Sequence, residues 1–139
     1  TNVMVSKDYD YSQFDTKIGI SFIGGSLVLN SGTDLKLYYS MDDQNMANNI
    51  NVSVNGQNVA PEYDGNIMCV RVPDISISSL GDTYNVKISV NGKEINQKYS
   101  AMTYMYKALN SQNSNTKLNN VVKALYLYNE AAKQYSMGN

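Results

Sequence analysis

Apolar and polar residues alternate along much of the chain up to Tyr99, and this period of two is typical of strands that bury one face. The segment LKLYYSM at 35–41 has the clearest alternation. One face carries Leu35, Leu37, Tyr39 and Met41, and the other carries Lys36, Tyr38 and Ser40. The pattern predicts a strand that buries the first set of side chains and turns the second set outward.

A second alternating stretch lies upstream and contains Ile18, Ile20, Phe22, Leu27 and Leu29. The pair Gly24-Gly25 divides it, and paired glycines are typical of turns. We therefore predict two strands joined by a turn at Gly24-Gly25.

Two further alternating segments each lead into an Asn-Gly pair, at Asn55-Gly56 and at Asn91-Gly92. Asn-Gly accepts the positive φ angles of a type I′ turn, whose twist matches two antiparallel strands. Both segments are therefore predicted to be hairpins. The segment NIMCVRVP at 66–73 predicts another strand, which we expect to end at Pro73 because proline lacks the amide that would continue a ladder.

After Tyr99 the period becomes helical. Ser100 is predicted to cap a short helix, AMTYMYKAL, and Asn115 or Thr116 to cap a longer one that runs from Lys117 to about Tyr135 and closes at Gly138. The longer helix has an apolar stripe at spacings of three and four, formed by Leu118, Val121, Val122, Leu125, Tyr128, Ala132 and Tyr135.

The stripe predicts which side chains of the longer helix are buried. Tyr128 and Tyr135 are expected to pack, whereas Tyr126 points away from the stripe. Asn129 lies inside the stripe, and a buried amide needs a partner. We expect it to bond a backbone group of the sheet or of the first helix.

Strands followed by helices predict a mainly β fold with a C-terminal α part: an antiparallel β-sandwich with a helical hairpin packed against it. Residues 1–16 are interpreted as a linker or an edge strand, and residues 17–139 as a single module. A chain of 139 residues is long enough to bury a core without a metal or a disulfide.

Three blocks of the sequence resemble a module that recurs in large secreted or surface proteins of gut Clostridia, within the Firmicutes. The blocks are IGGSLVLNSGTDLKLYYSM at 23–41, YSAMTYMYKAL at 99–109 and VVKALYLYNEAAKQYS at 121–136. Asn129, where that module has a small residue, and Leu37 depart from the pattern. The resemblance implies an extracellular or cell-surface location and a multidomain parent protein, and it implies no particular activity.

Charge narrows the range of partners. The chain has 11 Lys plus Arg against 12 Asp plus Glu, and no cationic block. Nucleic-acid binding requires clustered cations, so we expect no nucleic-acid partner. No apolar run is long enough for a membrane span, so we expect no membrane insertion.

Residue chemistry argues against catalysis. The sequence contains no histidine, which removes Ser-His and Cys-His catalysis and imidazole metal sites. Cys69 is therefore interpreted as a packing residue, and no phosphate-binding glycine motif is present. A small glycoside hydrolase built on a carboxylate pair is a remote alternative; the candidate pairs are Asp42-Asp43, Asp8-Asp10 and Glu62-Asp64.

A structural calcium ion is the only cofactor that the sequence leaves open. Asp42, Asp43 and Asn45 could provide oxygen ligands from one loop, and Asp8 and Asp10 from the leader. Otherwise we expect no cofactor.

The sharpest functional hypothesis is binding of a polysaccharide or other glycan. Carbohydrate sites combine flat rings with planar polar groups that bond hydroxyls. The candidate ligand-binding residues are Tyr38, Tyr63, Arg71 and Lys36. Tyr38 and Arg71 are expected on outward faces of their strands, and Tyr63 in the loop that follows the first hairpin. The alternative is a structural spacer or an adhesion module that contacts neighbouring protein modules. The resemblance and the lack of any convergent reactive cluster favour this alternative, and most of the 12 tyrosines are expected simply to pack.

Overall fold

The structure is a computed structural model that describes residues 7–11, 18–29, 32–110 and 116–137. Its strands are β1 (Ile20–Leu29), β2 (Thr33–Met41), β3 (Ile50–Val54), β4 (Gln57–Val59), β5 (Glu62–Asp64), β6 (Ile67–Ile75), β7 (Tyr84–Val90) and β8 (Lys93–Tyr99). The helices are α1 (Ala101–Asn110) and α2 (Thr116–Met137), and short 3-10 helices lie at Lys7–Tyr9, Gln44–Asn49 and Ile77–Ser79.

The strands form two four-stranded antiparallel sheets. The first sheet has the order β1-β2-β6-β5 and the second has the order β4-β3-β7-β8. Successive hairpins enter the two sheets alternately, so every connection between hairpins crosses from one sheet to the other. The predicted β-sandwich with two C-terminal helices is confirmed.

Both Asn-Gly hairpins are present where the sequence predicts them. Asn55 and Gly56 have φ angles of 51° and 83°, and Asn91 and Gly92 have φ angles of 51° and 80°. Two consecutive residues with positive φ are the requirement of a type I′ turn. The turns join β3 to β4 and β7 to β8.

The inner faces of the two sheets supply one apolar core. Its members from the first sheet include Leu35, Leu37, Tyr39, Met68 and Val70, and those from the second sheet include Val52, Val86, Ile88 and Ile95. The buried set predicted for residues 35–41 is therefore confirmed.

Two predicted breaks in the strands are wrong, because the chain inserts an extra residue in each place instead of turning. β1 continues through Gly24-Gly25, and Ile23 is the extra residue between the pairs Phe22–Tyr39 and Gly24–Tyr38. β6 likewise continues past Pro73 to Ile75. One strand then has one residue more than its partner, and this bulge leaves room for a proline that cannot donate to the ladder.

Helix α1 begins where predicted. The amide of Thr103 donates to Oγ of Ser100 at 3.0 Å, and the amide of Ser100 donates to Oγ1 of Thr103 at 3.1 Å. Two amides that helical bonds leave unpaired are satisfied in this way. Helix α2 contacts both α1 and the 3-10 helix Ile77–Ser79. Its predicted closing residue, Gly138, lies outside the described residues.

Helix α2 is rotated relative to the sequence-based expectation. Leu125 and Tyr126 pack against the core, whereas Tyr128 is 62% exposed, so the prediction that Tyr128 packs and Tyr126 does not is wrong. Asn129 is fully buried, and its Nδ2 donates to the carbonyl of Ile77. That bond turns the helix so that Asn129 faces inward and Tyr128 outward. The side chains of Leu118, Val121, Val122 and Tyr135 lie outside the described residues.

The predicted leader is described only in part. Lys7–Tyr9 forms a 3-10 helix, Tyr9 packs against the core, and the hydroxyls of Tyr11 and Thr83 lie 3.3 Å apart. The other leader residues lie outside the described ranges, so the linker or edge-strand interpretation stays a prediction. Within the described residues, neither helix combines the length and the apolar character that crossing a bilayer requires.

Candidate functional site

Three of the four predicted ligand-binding residues lie on one face of the first sheet. Lys36 on β2 is directly opposite Arg71 on β6, and Tyr38 is directly opposite Cys69. Residues that are directly opposite project from the same face of a sheet. Since the intervening residues Leu37 and Val70 are buried in the core, this face is the outer one.

Tyr63 does not belong to this group. It pairs with the inward-facing Met68, so its side chain leaves β5 on the opposite face from Tyr38 and Arg71, and it is 39% exposed. The prediction placed Tyr63 in a loop, where the direction of a side chain is not fixed. The structure places it in the short strand β5, whose pairing with β6 fixes the direction of the Tyr63 side chain.

The outer face of the first sheet carries mixed charge around Cys69. Burial raises the pKa of the Cys69 thiol, and the neighbouring Lys36 and Arg71 oppose this only in part. Arg71 Nη2 lies 3.5 Å from Oε1 of Glu62, and both side chains are substantially exposed. Exposed ion pairs contribute little stability, so the guanidinium is available to other partners.

A cleft of about 350 Å³ opens beside Arg71, between the two sheets. We call it the Arg71 cleft, and its lining residues are Val54, Asn55, Gln57, Asn58, Val59, Arg71, Val72, Pro73 and Tyr84. It exists because β5 pairs only with residues 67–69 of β6. Within the described part of the chain, residues 71–73 therefore have no paired strand on the side of β6 away from β2. This open edge of β6 faces the β3–β4 hairpin across the cleft.

The polar groups of the Arg71 cleft are of the planar kind. Asn55 ties its hairpin to β7 by two hydrogen bonds. Its Oδ1 accepts from the backbone N–H of Asn85 at 2.9 Å, and its backbone N–H donates to the Asn85 carbonyl at 2.9 Å.

The side-chain amides of Gln57 and Asn58 have no hydrogen-bond partner among the described residues. Because neighbours on a strand project to opposite faces, only the Gln57 side chain shares the inward face with Val54, the residue opposite it. The Gln57 amide and the Arg71 guanidinium thus border a cleft that is also lined by Asn58 and by the half-buried ring of Tyr84.

Sequence reasoning missed Gln57, Asn58 and Tyr84. Asn55-Gly56 was interpreted only as turn chemistry, although the run NGQN places two more amides directly after the turn. Tyr84 lies far along the chain from these amides, and only the packing of β7 against β3 brings it to the same cleft.

Two of the acidic candidates, Asp43 and Glu62, have structural explanations. Asp43 caps the 3-10 helix Gln44–Asn49, and its Oδ1 accepts from the amide of Asn45 at 2.9 Å. Glu62 pairs with Arg71. No carboxylate is among the described residues that line the Arg71 cleft. Within the described ranges, no three His, Cys, Asp or Glu side chains are grouped closely enough to hold a metal ion.

Comparisons with known proteins add no relative. A scan against protein-family models, a search of curated proteins and a search of solved structures each give no match. The geometry of the chain itself therefore carries the functional argument.

Proposed function

We propose that this chain is a non-catalytic carbohydrate-binding module, and that its ligand lies across Arg71. The observation that carries the proposal is that the Arg71 guanidinium and the side-chain amide of Gln57 border one cleft beside the ring of Tyr84. Planar amide and guanidinium groups bond pairs of sugar hydroxyls, and a ring offers a flat face to the CH groups of a pyranose.

The outer face of the first sheet extends this surface. Lys36 is directly opposite Arg71, and Tyr38 is the next outward residue of β2. A Cβ placed on Gly24, the residue opposite Tyr38 on β1, would meet no atom within 4 Å. The open space beside Tyr38 would allow a sugar chain leaving the cleft to pass over this face.

The lining of the cleft supports a binding role over hydrolysis. Glycosidases place two carboxylates across the scissile bond, whereas the polar side chains described around this cleft are amides and a guanidinium.

Affinity electrophoresis against a panel of plant and host polysaccharides tests the proposal. We expect at least one polysaccharide to retard the chain, and the variants Arg71→Met and Gln57→Ala/Asn58→Ala to bind about tenfold more weakly, the value of one charge-assisted hydrogen bond. Tyr38→Ala should weaken binding less. Lys98→Met, at an exposed position of β8, is the matched control and should bind as the unmodified chain does. The proposal fails if no polysaccharide retards the chain, or if Arg71→Met is retarded equally.

The resemblance to the clostridial surface module supports an extracellular or cell-surface location in a multidomain parent. The full-length reading frame tests this part. A secretion signal together with neighbouring modules would support it, and a cytoplasmic protein without either would contradict it.

A protein-interaction module is the second candidate, and the outward face of α2 favours it. Leu127 and Tyr128 are 55% and 62% exposed, and Ala124 and Ala131 are exposed beside them. Residues spaced at i, i+3, i+4 and i+7 form one continuous helix face. Hydrogen exchange in the full-length parent would show this role as protection of residues 124–131 that the isolated chain lacks.

A further inference from the structure

A second groove lies at the β1 edge of the first sheet, the far edge from the Arg71 cleft. Its volume is about 510 Å³, and it separates the bulged part of β1 from α1. We call it the β1–α1 groove, and the residues that determine its chemistry are Phe22, Gly24, Gly25, Tyr99, Tyr104 and Lys107.

The Tyr99 hydroxyl has no partner in this groove. Tyr99 is only 1% exposed, and its hydroxyl makes no hydrogen bond within the described part of the chain. A Cβ added to Gly25 would lie 3.0 Å from the hydroxyl oxygen, so a larger residue there would push the ring away by a few tenths of an ångström. The hydroxyl oxygen itself opens into the groove, so water or a ligand can bond it there.

Lys107 provides a cation beside that hydroxyl. Its Nζ lies 5.8 Å from the ring centroid of Phe22 and 5.7 Å from that of Tyr99. No described carboxylate pairs with Lys107, and none is among the described residues that line the groove. Ring faces attract the ammonium group without neutralising it, so no carboxylate of the described ranges compensates the positive charge of the groove.

The rest of the groove is apolar and aromatic. The rings of Phe22 and Tyr99 are 5.3 Å apart at an interplanar angle of 63°, and the ring of Tyr104 is half-buried in the same lining. Aromatic rings prefer edge-to-face or offset contacts with one another, so walls of this kind suit an aromatic ligand. Apolar walls of this size with a few fixed polar groups are typical of small-molecule sites.

We propose that the β1–α1 groove binds a small aromatic carboxylate. Lys107 and the Tyr99 hydroxyl hold the carboxylate, and the rings of Phe22 and Tyr104 pack against the body of the ligand. The site is distinct from the Arg71 cleft, which lies at the other edge of the sheet, although Gly24 borders both the groove and the outer face beside Tyr38.

Amide chemical shifts of the ¹⁵N-labelled chain, titrated with phenylacetate and indole-3-acetate, test the proposal. For a ligand of about ten non-hydrogen atoms we expect a dissociation constant on the order of 1 mM. The shifts should saturate and be largest at Gly24, Gly25 and Lys107. Phenylacetamide, which has the same shape without the charge, should cause much smaller shifts.

Three variants identify the groups that bind. Lys107→Met should weaken phenylacetate binding about tenfold or more, Lys107→Arg should restore most of it, and Tyr99→Phe should weaken it without loss of the ring. Lys98→Met controls for general loss of charge and should leave binding unchanged. The proposal is overturned if neither acid shifts these amides at about ten times the expected dissociation constant. Equal shifts with phenylacetamide, or phenylacetate binding unchanged in Lys107→Met, would overturn it as well.

Discussion

The hydroxyl of Tyr39 on β2 donates a hydrogen bond of 2.5 Å to Oε1 of Gln97 on β8, and so joins the two sheets inside the core. Both side chains are buried, and the Nε2 of Gln97 has no partner within the described residues. A polar bond within apolar surroundings is satisfied only when the two sheets are correctly aligned. We infer that this pair fixes the position of one sheet over the other.

Tyr39→Phe should therefore destabilise the chain by about 1–3 kcal/mol, because the buried Gln97 carbonyl loses its donor. The double variant Tyr39→Phe/Gln97→Met should recover part of that loss, since it removes both polar groups. Urea unfolding followed by circular dichroism measures both effects. Tyr128→Phe, at an exposed position, should be within about 0.5 kcal/mol of the unmodified chain. A Tyr39→Phe chain as stable as the original would contradict the inference.

Alkaline pH should unfold the chain through its buried tyrosines. Burial raises the pKa of Tyr39 far above its ordinary value, and it raises the pKa of Tyr99 to about 12. The folded state thus favours the neutral phenol, and the stabilisation is complete below the ordinary tyrosine pKa of 10.0. It declines as the pH rises above that value, because the unfolded chain releases these protons first.

Melting temperatures measured from pH 8 to pH 12 should show this decline. Its slope should correspond to release of about one proton on unfolding for each buried tyrosine. The melting temperature of Tyr99→Phe should fall less steeply with pH than that of the original chain, whereas the melting temperature of Tyr128→Phe should follow the original curve. Parallel curves of melting temperature against pH for Tyr99→Phe and the original chain would contradict this. They would show that Tyr99 ionises as readily in the folded state as in the unfolded state.

The rotation of α2 predicts unequal effects of two tyrosine truncations. Tyr126 packs against the core and Tyr128 is exposed. Tyr126→Ala should cost about 1–2 kcal/mol for partial loss of buried ring area, and Tyr128→Ala about 0.5 kcal/mol or less. Thermal unfolding of the two variants measures the difference. The reverse order would show that the helix presents the other face.

Asn129 should be sensitive to substitution although it is polar. Asn129→Ala removes the donor to the Ile77 carbonyl and should destabilise the chain by about 1–3 kcal/mol. Asn120→Ala, at an exposed position of the same helix, is the matched control. Hydrogen exchange adds a local measurement, since loss of the bond should loosen residues 77–79 before the sheets. Equal stability of the two variants would contradict this role for Asn129.

The candidate site shows how far the sequence leads. Alternation within a strand placed Lys36, Tyr38 and Arg71 on outward faces, and all three are there. It did not place Tyr63, because a three-residue strand such as β5 leaves almost no periodic signal. It also missed Gln57, Asn58 and Tyr84, whose proximity to Arg71 depends on which sheet edges face each other.

The bulges in β1 and β6 show the same limit at the level of the backbone. Gly24-Gly25 and Pro73 are local signals for a turn and for a strand end, and each is overridden by pairing with β2 on both sides of the irregularity. The free-energy preference of a residue for a turn or a strand end is small. The ladder hydrogen bonds and core packing that a continuous strand retains contribute more.

The sequence by itself determined most of the strands, both type I′ hairpins, the cap of α1 and the layered fold class, because period and turn chemistry act between near neighbours. It did not determine the continuity of β1 and β6 or the presence of β5. Only the tertiary structure decided the order of strands, the facing of Tyr126 rather than Tyr128, and the two grooves. Those features depend on contacts between residues remote in sequence, such as Asn129 with Ile77 and Tyr39 with Gln97, and on the sterics of one glycine beneath the ring of Tyr99.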